Sequence, residues 1–247
     1  MARGLGIDIG GSGIKGAPVD LETGEFADER LRIPTPDPST PEAVAKVVRE
    51  ILDHFDWQDS FGCTFPAVVQ NGVVRTAANV DDSWIGTDAH SLFHEVTGRR
   101  PMLVNDADAA GFAETRFGAA KDRSGMIFVA TLGTGIGTAI IHNGHLVPNT
   151  ELGHVELHGH DAESKAAESA REREDLSWKH WAKRLTHYFG HVENLLWPDL
   201  IVVGGGVSKK AHKWMPHVKI RTEMVPAELM NRAGIVGAAL LASDPRQ

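Results

Sequence analysis

The chain has 247 residues, 42% of them apolar, and a formal net charge of −8 at pH 7; that suits one large or two small domains with a proper core, and it argues against general nucleic-acid binding, which needs broad basic surface. A single cysteine, Cys63, leaves no partner for an internal disulfide, excludes a zinc site built on two cysteines and fits a reducing cytoplasm. No apolar run approaches the ~20 residues of a membrane span, and Met1-Ala2-Arg3 leads straight into a strand pattern rather than a signal peptide, so the expectation is a cytoplasmic protein that engages neither membrane nor nucleic acid.

The first element, LGIDIGGSGIKGAPVD at 5–20, is an apolar strand with Asp8 set between Ile7 and Ile9, followed at once by glycines. Gly11-Ser12-Gly13-Ile14-Lys15-Gly16 formally fits G-x-G-x-x-G, but that pattern marks a dinucleotide fold only when a helix follows. Pro18 and Gly24 argue against a helix, and the stretch reads as a second strand. No Walker A loop occurs. A β-hairpin whose turn offers backbone N–H groups to an anion is the better reading; an ordinary glycine-rich hairpin carries the same pattern.

Thr35 to Pro41 is a linker that ends in a helix start, with Thr40 as N-cap and Pro41 at the first helical position. Ala43, Val44, Val47, Val48, Ile51, Leu52 and Phe55 mark the buried face of that helix, which runs to about Phe55. Short strands follow around 60–65 and 72–76. LVND at 103–106 is a strand leading into a small-residue helix from Ala107 to about Phe117. MIFVATLGTGIGTAII, 126–141, is a second strand–glycine turn–strand unit and the nearest thing to an internal repeat. Residues 161–175 look helical. Trp178, Trp181, Leu185, Phe189, Val192 and Leu196 recur at helical spacing within 176–197, with the tryptophans read as core. DLIVVGGGVSKKA, 199–211, is a buried strand and a glycine turn with two lysines. AGIVGAALLA, 233–242, is an apolar helix expected to pack back onto the first domain. Three glycine turns after strands, with helices between, indicate an α/β protein.

Five of these stretches, GIDIGGSGIKG, VNDADAAGFAE, ATLGTGIGTAI, ELGH and IVVGGGVS, come in the order and spacing of the ROK family of sugar kinases, which the chain resembles over most of its length. The resemblance implies the actin-like, ribonuclease-H-like two-domain fold, with nucleotides or phosphate chains in an interdomain cleft. The expected division is an N-terminal α/β domain at 1–105, joined by the C-terminal helix 233–247, and a C-terminal α/β domain at 106–232. VVRTAANVDDSWIGTDA, 73–89, and SKAAESAREREDLSWKHWAKRL, 164–185, further resemble the branch that takes polyphosphate or ATP as phosphoryl donor. The implied reaction is transfer to the 6-hydroxyl of glucose, with mannose as a second acceptor and a homodimer as the assembly. An ATP-only kinase for another hexose or N-acyl sugar is the alternative. A sugar-sensing repressor would carry a helix-turn-helix domain ahead of the first hairpin, and an actin-like structural ATPase would have no use for the sugar-binding set.

That resemblance assigns roles residue by residue. Asp8 faces the donor phosphates and their Mg²⁺ through water, while Gly10, Gly11, Ser12 and Gly13 wrap the phosphate chain; a carboxylate aimed at phosphate needs a cation between them. Lys15 either neutralises donor charge or is an exposed lysine on a turn. Asp106 is the general base that accepts the sugar hydroxyl proton, although Asn105-Asp106 also suits helix capping. Asp108 stands where the family usually has asparagine and reads as supporting. Asn79, Asn105, Glu151 and His154 contact the sugar with Glu163, and Glu168 is the reserve for that last position. Gly133, Thr134, Gly135 and Gly137 match the second phosphate loop, and Gly204, Gly205 and Gly206 the adenosine-side loop. Lys209 and Lys210 either guide polyphosphate or are solvated. The family's cysteine-rich zinc loop is missing after His154, where the chain reads Leu157-His158-Gly159-His160-Asp161, so no structural zinc is expected; a site from His154, His158, His160 and Asp161 is conceivable on ligand type alone. Phe65-Pro66-Ala67 departs from the family as well, since glycine commonly follows the proline.

Overall fold

The structure is a computed structural model that describes residues 2–77 and 80–244. The chain divides into two compact units, Met1–Ala113 with Asn231–Gln247, and Glu114–Met230.

The first unit holds β1 (Arg3–Gly10), β2 (Gly13–Asp20), β3 (Leu31–Ile33), α1 (Pro41–His54), β4 (Phe61–Phe65), the short pair β5 (Val69–Gln70) and β6 (Val73–Val74), α2 (Ala89–Thr97), β7 (Pro101–Asn105) and the start of α3 (Asp106–Phe117). Its sheet runs β3-β2-β1-β4-β7. β1 and β2 form the expected hairpin, Gly10 opposite Gly13 and Asp8 opposite Lys15, and β1 pairs parallel with β4. The Thr40 side chain caps α1 by accepting from the Ala43 N–H. The buried face of α1 is Val44, Ala45, Val47, Val48, Ile51 and Leu52, while Ala43 and Phe55 are only partly covered. These side chains close over Leu5, Ile7 and Ile14 to make the core.

The second unit holds β8 (Met126–Leu132), β9 (Ile136–His142), β10 (His145–Val147), the pair β11 (Glu156–Leu157) and β12 (His160–Asp161), α4 (Glu163–Ala166), α5 (Glu168–Arg173), α6 (Trp178–Leu196), β13 (Leu200–Gly204), α7 (Ala211–Trp214) and β14 (Met224–Pro226). Its sheet order, β10-β9-β8-β13-β14, repeats the pattern of the first: a hairpin strand flanked on one side by its antiparallel partner and on the other by a parallel crossover strand. Trp181, Leu185, Tyr188, Phe189 and Val192 of α6 are buried, and Trp181 meets Trp214 edge-on at 5.3 Å. Trp178 and Leu196 are half-buried.

The helical stretch expected at 161–175 is broken. Asp161 ends a short strand, and Ala167 is extended (φ −60°, ψ 159°) between α4 and α5. The break has a tertiary cause: Ser169, just past it, donates its N–H to the Gly133 carbonyl (3.0 Å) and its hydroxyl to the Thr134 carbonyl (2.6 Å), tying α5 to the glycine turn.

The last helix, α8 (Ala233–Ser243), belongs to the first unit. A Cβ at Gly62 would stand 1.8 Å from the Ala238 carbonyl oxygen, one at Gly6 1.9 Å from that of Ile235, and one at Gly237 1.8 Å from that of Ala109. Glycine at these three places lets α8 lie directly on the backbone of β1, β4 and α3. No helix among the described residues is long and apolar enough to cross a membrane.

Candidate active site

The first glycine turn is ordered by its neighbours. Asp8 Oδ1 accepts from Thr64 Oγ at 2.9 Å and Oδ2 lies 3.2 Å from Lys15 Nζ. Thr64 stands beside Asp8 in the parallel register of β1 and β4. Each carboxylate oxygen keeps acceptor capacity after these contacts. A single carboxylate beside phosphate oxygens suits Mg²⁺, which retains several waters and takes few protein ligands; Asp8 therefore fits the expected cation. Lys15 is half-buried in β2 rather than loose on a turn. Arg32, in β3, donates from Nη2 to the Ser12 carbonyl at 2.8 Å and lies against Gly13. Neither Thr64 nor Arg32 stood out in the sequence, because only strand register brings them here. Cys63 is fully buried, and burial first, then the Asp8 charge, pushes its thiol pKa up.

At the start of α3, Asn105 Oδ1 accepts from the N–H groups of Ala107 (2.8 Å) and Asp108 (3.4 Å). Capping thus falls largely to Asn105. Asp106 is exposed at the first helical position, its Oδ1 also accepting from the Ala107 N–H. Asp108 is buried. Asn79 lies outside the described residues.

In the second unit the ELGH stretch interlocks with the second glycine turn. Leu152 donates its N–H to Thr138 Oγ at 3.1 Å, and a Cβ at Gly153 would stand 2.0 Å from the Ile136 carbonyl oxygen. Glu163 Oε2 accepts from the Ile136 N–H at 2.9 Å and occupies the space where Gly135 would carry a Cβ, 2.3 Å away. His154 Nδ1 meets Asp161 Oδ2 at 2.8 Å and stands 4.0 Å from Glu163 Oε1. Glu151 is exposed at the head of this turn. His154, Asp161 and Glu163 offer ligand atoms within 4.8 Å of one another. His158 and His160 line a pocket of about 280 Å³ with Leu157, Asp161, Lys165 and Tyr188.

Glu168 goes elsewhere. It lies near Gly206 in the third glycine turn, and burial, then the Glu172 charge, raise its pKa against Arg171 and Lys210. Gly205 has φ +84°, and a Cβ there would meet the Leu132 carbonyl oxygen at 2.1 Å, so this turn requires glycine for its backbone alone. Lys209 and Lys210 are both exposed, with Lys210 Nζ 5.9 Å from the Trp178 ring.

Two sheets of one topology, each hairpin bent round a glycine turn, together with the Asn-Asp and Glu-x-Gly-His sets define the class. The ROK family model matches residues 4–166, and the chain belongs to the ROK family. Its fold is the actin-like α/β fold of the ROK sugar kinases. Within the family, the polyphosphate glucokinase of Mycobacterium tuberculosis (strain ATCC 25618 / H37Rv) is 53% identical over 239 residues, spanning 96% of this chain and 90% of that protein. The crystal structure of inorganic polyphosphate/ATP-glucomannokinase from Arthrobacter sp. strain KM is 50% identical, with a TM-score of 0.91 over 98% of this chain and 99% of that one. The ROK family glucokinase of Streptomyces griseus in complex with glucose and AMPPNP shares the fold at 22% identity, with a TM-score of 0.81 over 98% and 99% of the two chains.

Proposed function

We propose that this chain transfers the terminal phosphoryl group of inorganic polyphosphate or ATP to the 6-hydroxyl of glucose, with mannose as a second acceptor. The observation that carries this reading is the whole-length match to the Arthrobacter glucomannokinase, at half-identical sequence. In this reading Asp106 takes the proton of the attacking hydroxyl. Asn105, Glu151, His154 and Glu163 hold the sugar hydroxyls, which carboxylates, amides and imidazoles can pair with. Asn79 joins them by family pattern. The turns at 10–13 and 133–137 present backbone N–H groups to the donor phosphates, and Gly204–Gly206 serve the adenosine of ATP. Asp8 would hold Mg²⁺ through water, and the bound ion would offset charge on the donor phosphates.

The test is a coupled glucose 6-phosphate assay with polyphosphate and ATP in parallel, each freed of the other, with and without EDTA. Product from both donors, lost on chelation and restored by Mg²⁺, is expected. Activity with ATP alone, on an N-acyl sugar and not on glucose, would replace this reading with the ATP-only one.

A further inference from the structure

We propose that Arg32 binds the donor: its guanidinium holds the terminal phosphates of polyphosphate and of ATP alike. This rests on the reading of the turn at 10–13 as a donor turn.

Asp8 on β1, Lys15 on β2 and Arg32 on β3 are successive cross-strand neighbours. Such neighbours share a face of the sheet. The three therefore make a lateral row, one acid and two bases, ending beside the glycine turn. Lys15 is committed to Asp8, at 3.2 Å, and the two charges offset each other. Arg32 makes no ion pair among the described residues; its one hydrogen bond goes to the neutral Ser12 carbonyl. The row is left with one uncompensated positive charge, in a chain whose balance is strongly acidic.

That charge is held at the turn itself. A Cβ at Gly13 would stand 2.8 Å from both Nε and Nη2 of Arg32, so the guanidinium occupies the space that the missing side chain leaves open. Beyond the N–H spent on Ser12, the planar fork has further donors in the geometry that matches phosphate oxygens. Backbone N–H groups and a guanidinium on one turn are chemically suited to a phosphoanhydride end, which both donors share. A mere brace for the hairpin needs one hydrogen bond and no net charge.

Arg32→Gln keeps a side-chain amide for the Ser12 carbonyl and removes the charge. It is expected to raise the KM of polyphosphate and of ATP by a similar factor, roughly tenfold to a hundredfold, while glucose KM at saturating donor and the Tm stay unchanged. Arg32→Lys restores charge without the fork and should fall between. Titration with tripolyphosphate, followed calorimetrically, should show the same loss of affinity without any turnover. Asp8→Asn is measured beside it. Unchanged donor affinity in Arg32→Gln with weakened donor use in Asp8→Asn overturns the role of Arg32 alone. Unchanged donor use in both removes the donor turn, and the proposal with it. A rise confined to one donor, or a fall in Tm with donor KM intact, also overturns it.

Discussion

Asp161 Oδ2 lies 2.8 Å from His154 Nδ1, and the same carboxylate accepts the Glu163 backbone N–H through Oδ1 at 3.1 Å. The pairing assigns the imidazole proton to Nδ1 and leaves Nε2 as an acceptor, which in the proposed function receives a sugar hydroxyl. The hydrogen bond to Asp161, above all, raises the His154 pKa from 6.5; the Glu163, Asp161 and Glu151 charges add to it and partial burial opposes it. Acid therefore removes the acceptor, and kcat/KM for glucose should fall as pH drops through this raised value. Asp161→Asn lowers the value back toward 6.5, so the acid limb moves to lower pH, and glucose KM rises because the ring is less firmly oriented. A pH profile with an NMR titration of His154 checks both; an unmoved limb would exclude Asp161 from this role. For stability the sign is opposite. The ion pair contributes below the unfolded pKa and is lost as pH rises through the folded one, and the contribution is small because the pair is largely exposed.

Asn105 and Asp106 are adjacent but should fail differently. Asp106→Asn is expected to lower kcat by roughly 10²–10⁴-fold, the usual scale for a lost general base, with sugar binding and Tm retained. Asn105→Ala removes the side chain that accepts two N–H groups at the start of α3, and should cost about 1 kcal/mol of stability. Turnover and urea denaturation on both variants separate the two; wild-type turnover in Asp106→Asn would remove it from the mechanism.

Gly135 belongs to the second glycine turn, proposed to face the donor, and its missing Cβ makes room for the Glu163 carboxylate. Gly135→Ala must push that carboxylate off the Ile136 N–H. The expected result is a raised glucose KM as well as any donor defect. A donor-only change would mean that the contact with Glu163 has no part in holding the sugar.

Gly62→Ala puts a methyl group 1.8 Å from the Ala238 carbonyl, which backbone cannot evade without moving α8. Overpacking of this kind typically costs about 1–3 kcal/mol and sometimes more. Urea unfolding should show it in the midpoint, whereas Gly98→Ala, with open space around its Cβ position but φ +73°, should cost only backbone strain.

The sequence was most legible where information is local. Pro18 and Gly24 ruled out a helix after the first turn, and Thr40-Pro41 marked the start of α1 to the residue. The glycine turns and the Asn-Asp and Glu-x-Gly-His sets were recognisable because they stand in the order and spacing of the ROK family, whose model matches residues 4–166. What the sequence hid are partners that register or distant packing supplies. Thr64 and Arg32 reach the first turn only through strand pairing. Asp161 meets His154 because β12 folds back on β11. Ala167 breaks a stretch of good helix formers because Ser169 is hydrogen-bonded to the glycine turn. Gly6 and Gly62 gave no local sign that a helix from the far end of the chain would lie on them.

That far-end helix has a consequence for how the protein is made. The strands that α8 covers, β1 and β4, are synthesised before the second unit, and α8 after it. While the chain is still growing, the second unit has all its strands before the first has its closing helix. The early strands wait with a bare, glycine-floored trough and apolar neighbours open to water, the condition in which unfinished chains associate wrongly. Completion of the first unit is thus deferred until the second has been synthesised, and a chain that stalls before residue 233 would be liable to aggregate although its second unit is whole.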